Sequence, residues 1–395
     1  MTRRVVITGL GFVSSLGLDA PSTWSAMLAS RSGMGPLRRL VLPKEPSQVA
    51  AEVAWPRPIP RRSTLCQEMA LAALDEAMGG WRPALDPRRM GVFQGAGTSA
   101  LPIPERNLLE RLGGRRAPLA EAAFQSPVTI TDALADRLGA LGPRATVMNA
   151  CSSSLLALGQ AWERIVAGEL DLAVAGGAET LCITTYSGFC SLKAVDPQPC
   201  RPFSRDRAGL NLGEGSAQLL LEPLELARAR GAVILAEVVG YGATMDAHHP
   251  TAPHPEGEGA MRAMRMALRA GRLDAEHVDL VSAHATATPA NDGAECMAIR
   301  RALGPGADRV SVTSTKSQFG HTLGAAGAIG AAVAALCLRD QVVSPTLRLE
   351  EKDPACDLDC TPLQPKERLL RAALVNAFAF GGNNVSLALK RWEGQ

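Results

Sequence analysis

Cys151 stands where a thiol could act as a nucleophile. The run Ala145-Thr146-Val147-Met148 before it is strand-like, and Ser152, Ser153 and Ser154 after it open a Leu/Ala segment of helical periodicity that ends near Gly168. A thiol at such a turn meets unpaired backbone N–H groups and the positive end of the helix macrodipole, so the thiolate is favoured and an anionic intermediate can be held there. Most free cysteines are inert core, so the assignment depends on what accompanies this one. His284 lies at the C-terminal end of the strand-like segment Val278–Ser282, two residues past it, with Thr286 and Thr288 on the loop beyond. Lys316 and His321 share the loop Ser314-Thr315-Lys316-Ser317-Gln318-Phe319-Gly320-His321, which leads into a glycine-rich helix. Strand ends and helix entrances are where α/β folds gather reacting side chains.

These residues need a scaffold of alternating strands and helices, and the chain supplies one. Val5 to Thr8 reads as a strand buried on both faces, followed by a tight turn at Gly9-Leu10-Gly11; Arg3-Arg4 ahead of it imitates a signal peptide, but Thr8, Gly9 and Gly11 break the apolar core early. The third glycine of a dinucleotide fingerprint is missing where Ser14 stands. Pro36 to Pro60 is aperiodic surface, Ser63 to Met78 is helical, and Arg89 to Gln94 is a strand ending in Gly95-Ala96-Gly97-Thr98. Strand Leu172–Gly176, the charged and glycine-rich stretch 201–222 and a short helix to Gly231 complete a first half, residues 1–230. Residues 231–395 repeat its order: strand, helix 259–270, strand 278–282, helix from Asp292, strand 310–313, a Gly/Ala helix and closing strands. Such alternation predicts an α/β fold with helices on the sheet faces.

Composition narrows the function. Of 395 residues 46% are hydrophobic and 20% charged, as in a globular enzyme. Forty-one basic against 39 acidic residues and 4% aromatics offer nucleic acid neither a field nor a stacking platform. Nine cysteines, an odd number with no C-x-x-C, suggest neither disulfides nor zinc and point to a reducing, cytoplasmic compartment. His248, His249 and His254 match no metal-ligand spacing, so no metal is expected. The longest apolar run, Leu323–Leu338, falls short of a membrane span and is expected to be a buried helix.

Together the segments Asn149-Ala150-Cys151-Ser152-Ser153-Ser154, His284-Ala285-Thr286-Ala287-Thr288-Pro289, Thr315-Lys316-Ser317 through Gly320-His321, and Asn376 to Asn384 resemble the elongating β-ketoacyl-acyl carrier protein synthases, with RPF-x-R-D-R-x-G and GEG elements between Arg201 and Gly215. The resemblance runs from Val5 to Lys390. It implies the thiolase fold, five layers α-β-α-β-α in two pseudo-duplicated halves, and a dimer joined through strands near Leu172 to Gly176. It implies that Cys151 takes an acyl chain from carrier protein, that His284 and His321 handle the malonyl group, and that Lys316 orients them with Glu295 in support. The backbone N–H groups of Cys151 and Phe380 would form an oxyanion hole, Phe380 would gate the acyl pocket, and Thr286 and Thr288 would hold the phosphopantetheine arm. That arm comes attached to the carrier protein, so no cofactor of the enzyme's own is expected.

Departures from the family pattern bear on substrate. Ala285 and Ala287 replace the glycine and serine of H-G-T-S-T, and Asn383 replaces the threonine of G-F-G-G-T-N. Ala285 crowds the thiol arm, and Thr98 stands where a bulkier acyl-pocket residue is common. The motifs look more like ketosynthases of aryl polyene clusters than housekeeping fatty-acid enzymes, which remain the alternative. Enzymes of that type pair with a cysteine-less chain-length factor, so the expected assembly is a homodimer or a heterodimer with such a chain. That this chain is itself such a factor is disfavoured by Cys151, His284, Lys316 and His321 all being present. Arg61 and Arg62, ahead of the helix near Ser63, are the expected contacts for an acidic carrier protein.

Overall fold

A computed structural model describes residues 3–394 except 41, 43–44, 61–62 and 117–125. Its principal sheet contains, in chain order, β1 (Val5–Ser14), β2 (Met90–Gly95), β3 (Arg144–Val147), β4 (Leu172–Glu179), β5 (Gly215–Pro223), β6 (Ala236–Met245), β7 (Val278–Ser282), β8 (Ser311–Thr313), β9 (Ala372–Ala379) and β10 (Asn383–Arg391). Across the sheet the order is β8-β7-β9-β10-β6-β1-β5-β4-β2-β3. Between β1 and β6 the only pairing is Val5–Ile7 with Ala236–Val238. Divided there, the sheet gives two five-stranded runs of one topology. In each, the first three strands from the outer edge pair in parallel, and the two nearer the join pair antiparallel. The two halves therefore repeat one strand order, whatever their sequence difference.

Six helices complete the layers: α1 (Leu65–Met78), α2 (Val128–Leu138), α3 (Ser153–Val166), α4 (Glu258–Ala270), α5 (Asn291–Leu303) and α6 (Ala326–Asp340). The helices α1 and α2 cover the outer face of the first run, and α4 packs on β6 and β10 of the second with α5 beside it. Between the runs lie α3 and α6, which touch each other and strands of both halves. This is the five-layered α-β-α-β-α arrangement expected from the sequence. Its centre is thin because its side chains are small: all thirteen residues from Ala326 to Leu338 are buried, and six of them are alanine and two glycine. By contrast α4 has one buried face, through Ala260, Met261, Ala263, Met264, Ala267 and Leu268, as a helix covering a sheet should.

Three expectations need correction. The first strand does not turn at Gly9 but runs on to Ser14. Its glycines serve packing instead, since a Cβ on Gly11 would collide with the backbone of Ala73 in α1. The strand Leu172–Glu179 cannot join a partner's strand, because β2 occupies one edge and β5 the other. Among the described residues the strand with a free edge in this half is β3, which pairs only with β2. Finally, the apolar stretch Leu323–Asp340 has the 18 residues and mean hydropathy (1.4) to cross a bilayer, but 83% of it is buried inside the protein.

Candidate active site

The turn between β3 and α3 is built by its serines. Asn149 N–H donates to Ser153 Oγ (2.8 Å), whose hydroxyl faces the carbonyls of Ala150 (2.6 Å) and Ala96 (3.3 Å). Ser152 Oγ accepts from the Asn149 side chain (2.9 Å), and Ser154 Oγ accepts from Ala328 N–H of α6 (2.9 Å). These bonds hold Ala150 at φ +48°, a conformation that costs a non-glycine residue roughly 1 kcal/mol or more. They place Cys151 in a 3₁₀ turn at the head of α3, 6% exposed.

Burial has a consequence that the helix end does not overcome. It pushes the Cys151 thiol up to about 12, against the pull of the Lys316 ammonium; the Glu179 carboxylate adds to the rise, and the backbone N–H groups of Cys151 and Phe380 oppose it. The expected thiolate is therefore a protonated thiol at neutral pH. The backbone N–H groups of Cys151 and Phe380 both act on the sulfur and so belong to one side of the site. Phe380 begins the turn between β9 and β10, where Gly381 and Gly382 supply φ values of +86° and +77°. Its ring stacks on Phe189 at 5.5 Å.

The second half contributes the imidazoles. His284 lies just beyond β7, and its N–H and that of Ala285 donate to the two oxygens of Glu295 on α5 (2.8 and 2.7 Å). Asn376 steadies the same carboxylate at 3.1 Å. Glu295 thus holds the His284 loop by its main chain. His321 follows the helical turn Lys316–Phe319, and its backbone is pinned to the first half by Asn211 O (2.7 Å) and Gly213 N–H (3.0 Å), which explains the glycine-rich element around Gly213. The rings of His284 and His321 lie 5.3 Å apart, nearly perpendicular. Burial, reinforced by the Lys316 ammonium, holds both well below the usual histidine value, so both are neutral at physiological pH. His321 Nδ1 accepts from Leu323 N–H (3.2 Å), which leaves the proton on Nε2, and Nε2 has no partner among the described residues. His284 Nδ1 is likewise unpartnered. Lys316, 4% exposed, is lowered by burial, with Glu295 and Cys151 opposing.

Cys151, His284, His321, Thr286, Thr288 and Phe380 line one cavity of about 270 Å³. The two threonine hydroxyls are 2.9 Å apart. Lys316 and Glu295 stand behind the imidazoles and do not line it. Thr98 does not line it either, and is bonded through its N–H to Glu179 (2.9 Å). Arg61 and Arg62 lie outside the described residues. Among the described residues no cluster of three or more His, Cys, Asp or Glu could hold a metal. Two supporting residues went unrecognised in the sequence. Arg207, in the R-D-R element, donates to the carbonyls of Thr288 (3.2 Å) and Pro289 (3.1 Å) and pairs with Asp353. Asp292, buried at the start of α5, accepts from Ala287 N–H (3.1 Å) and Phe203 N–H (2.9 Å). Arg207 falls inside the RPF-x-R-D-R-x-G element, and Asp292, at the start of α5, lies three residues beyond the His284–Pro289 segment.

Comparison with known proteins agrees with this geometry. Residues 2–227 match the β-ketoacyl synthase N-terminal domain and residues 235–350 the β-ketoacyl synthase C-terminal domain. The chain is 37% identical over 415 residues to a 3-oxoacyl-[acyl-carrier-protein] synthase 2 of Synechocystis sp., covering 99% of each. It is 39% identical over 403 residues to nodulation protein E of Rhizobium meliloti, covering 99% of this chain and 100% of the relative. Its structure is similar to the ketosynthase complex AntDE:AntF, a type II polyketide assembly with its acyl-carrier protein (TM-score 0.94, 30% identity, 99% and 100% of the two chains). It is also similar to the ketosynthase ApeO in complex with its chain length factor ApeC from Xenorhabdus doucetiae (TM-score 0.87, 28% identity, 99% and 98%). Matched in order through both halves, the chain belongs to the β-ketoacyl synthase family, condensing acyltransferases built on the thiolase fold.

Proposed function

We propose that Cys151 accepts an acyl chain from the phosphopantetheine thioester of a carrier protein and that His284 and His321 drive its condensation with a malonyl thioester. The observation that carries this reading is the pair of neutral, buried imidazoles with unpartnered nitrogens in the same cavity as the thiol. Sulfur attacks the thioester carbonyl, the bond to pantetheine sulfur breaks, and the thiol proton leaves with the departing pantetheine. The malonyl carboxylate is then lost as carbon dioxide, and its electron pair passes to an enolate oxygen that the imidazole N–H groups face. Donors aimed at charge present only after that step stabilise the transition state selectively. The enolate carbon attacks the acyl–cysteine carbonyl, whose oxyanion meets the N–H groups of Cys151 and Phe380; collapse expels the Cys151 thiolate, which takes a proton from solvent to return the thiol. Burial keeps both imidazoles neutral and the Lys316 ammonium adds to it; Glu295 fixes the His284 loop, and Thr286 and Thr288 line the route of the pantetheine arm. The arm arrives on the carrier, so the reaction asks for no cofactor of the enzyme's own.

A ketosynthase-like subunit is proposed to add at β3. Its free edge is flanked by exposed apolar side chains, Leu141 (68%), Met148 (60%) and Val128 (43%), the last on α2, which packs against that strand. A polyketide-type chain elongated by such a pair, in a reducing cytoplasm that suits nine free buried cysteines, completes the reading. Intact-protein mass spectrometry after mixing with an acyl-carrier protein tests the acyl site: one acyl group mapping to Cys151 supports it, and label on another cysteine overturns it. Expression with and without a neighbouring ketosynthase-like chain tests the pairing, which fails if a homodimer makes the same product length either way.

A further inference from the structure

Glu179 has no part in the steps above, yet it is the last residue of β4 and wholly buried. Its Oε2 accepts from Gly97 N–H (2.8 Å) and Gly324 N–H (3.1 Å), and its Oε1 from Thr98 N–H (2.9 Å), with the Thr98 hydroxyl at 3.4 Å. No lysine or arginine pairs with it among the described residues; the titratable groups that face it are the thiols of Cys66 and Cys151. Two donors come from the loop after β2 in the first half, and the third from the entrance to α6 in the second. The glycines permit this, because a Cβ on Gly97 or Gly324 would lie 2.6 or 2.8 Å from Oε2.

Gly324 comes three residues after His321, and the turn between them is strained. Leu323 sits at φ +45°, and from that conformation its N–H reaches His321 Nδ1. That bond sets the imidazole tautomer, with Nε2–H left unpartnered. We propose that Glu179 is a positioning residue for His321: by holding Gly324 N–H it keeps the Leu323 turn in its strained form and so fixes the tautomer and aim of the imidazole. The proposal rests on the role given to His321 above. It also accounts for a costly group in a core position. Burial pushes this carboxyl up to about 7, and only hydrogen bonds from Thr98, Gly97 and Gly324 work against that rise. An apolar side chain would avoid the desolvation but could not hold the turn.

The test is Glu179→Gln in the full-length enzyme, with Glu179→Asp as a second variant that keeps both oxygens on a shorter arm. Three quantities are read: the rate of the Cys151 mass shift with acyl-carrier protein, carbon dioxide release from malonyl-carrier protein, and the ¹⁵N shifts of His321 in histidine-labelled protein. In the Gln variant, decarboxylation should fall by up to about 100-fold, the loss expected when a reacting group is misplaced by about an ångström, while acylation should not fall, because losing the carboxylate removes part of the rise on the Cys151 thiol. His321 should change from the Nε2–H tautomer to a mixture, and Asp should recover part of both. An unchanged His321 spectrum overturns the proposal, as does an equal loss of both half-reactions. If the Gln variant does not fold, the same readings on Asp decide. A wild-type enzyme that does not decarboxylate malonyl-carrier protein would sink the functional reading, while the tautomer measurement would still judge the positioning.

Discussion

The turn that carries Cys151 and the turn that carries Lys316 and His321 occupy the same place in two copies of one topology. Each follows the third strand of its half, β3 or β8, and each leads into a central helix, α3 or α6. Both contain backbone at positive φ, at Ala150 in one and at Gly320 and Leu323 in the other. What differs is the group presented. The first turn offers a thiol facing backbone N–H donors; the second offers an ammonium and an imidazole whose free nitrogen is unpartnered. A repeated frame has thus given two helix entrances separate duties, with the charge of one acting on the other: Lys316 lowers the thiol and both imidazoles.

If the duties are separate, variants at one turn should spare the half-reaction of the other. The largest effect is expected from His284→Ala and His321→Ala, which should each lower malonyl decarboxylation by about 10²–10³-fold, the usual loss on removing one oxyanion donor, while acylation of Cys151 persists. Next comes the joint behind the turns. A Cβ on Gly327 of α6 would lie 2.6 Å from Leu155 Cβ and 2.7 Å from its backbone nitrogen in α3. Gly327→Ala should therefore lower stability in urea by about 1–3 kcal/mol, and both half-reactions should fall together, in contrast to the histidine variants. The smallest effect concerns charge. A thiol raised to about 12 is largely protonated at pH 8, so alkylation of Cys151 by iodoacetamide should keep rising with pH through pH 9 without a plateau. Lys316 pulls that value down, so Lys316→Met should slow alkylation several-fold at a given pH; a plateau near pH 7, or faster alkylation in the variant, would contradict the electrostatic account.

What could be seen in the sequence was whatever is local. The strand, turn and helix around Cys151 lie within about 25 consecutive residues, and His284, Lys316 and His321 sit in short segments with their own turn chemistry. The state of the thiol was not legible, since burial among residues distant in sequence, Ala50, Tyr186, Leu212 and Leu323 among them, outweighs the helix end next to it. The role of Glu179 was hidden for the same reason: its donors are 82 and 145 positions away in the chain. Strand Leu172–Glu179 was misplaced at an interface because position across a sheet does not follow chain order; it pairs with β2 from far upstream and β5 from downstream. Thr98 lies outside the lining of the cavity that holds Cys151 and the imidazoles, and its N–H is taken by Glu179, a bond that its sequence neighbours do not announce.

The division between the two turns is tested most directly by following carbon dioxide release from malonyl-carrier protein labelled in its free carboxylate, using Cys151→Ala. This variant removes the first turn's chemistry and leaves Lys316, His284 and His321 in place. The account predicts no acyl-enzyme by mass and no condensation product, with decarboxylation continuing at a rate comparable to the wild type. Decarboxylation that disappears together with the thiol would show that the two turns share one duty, and would contradict the account.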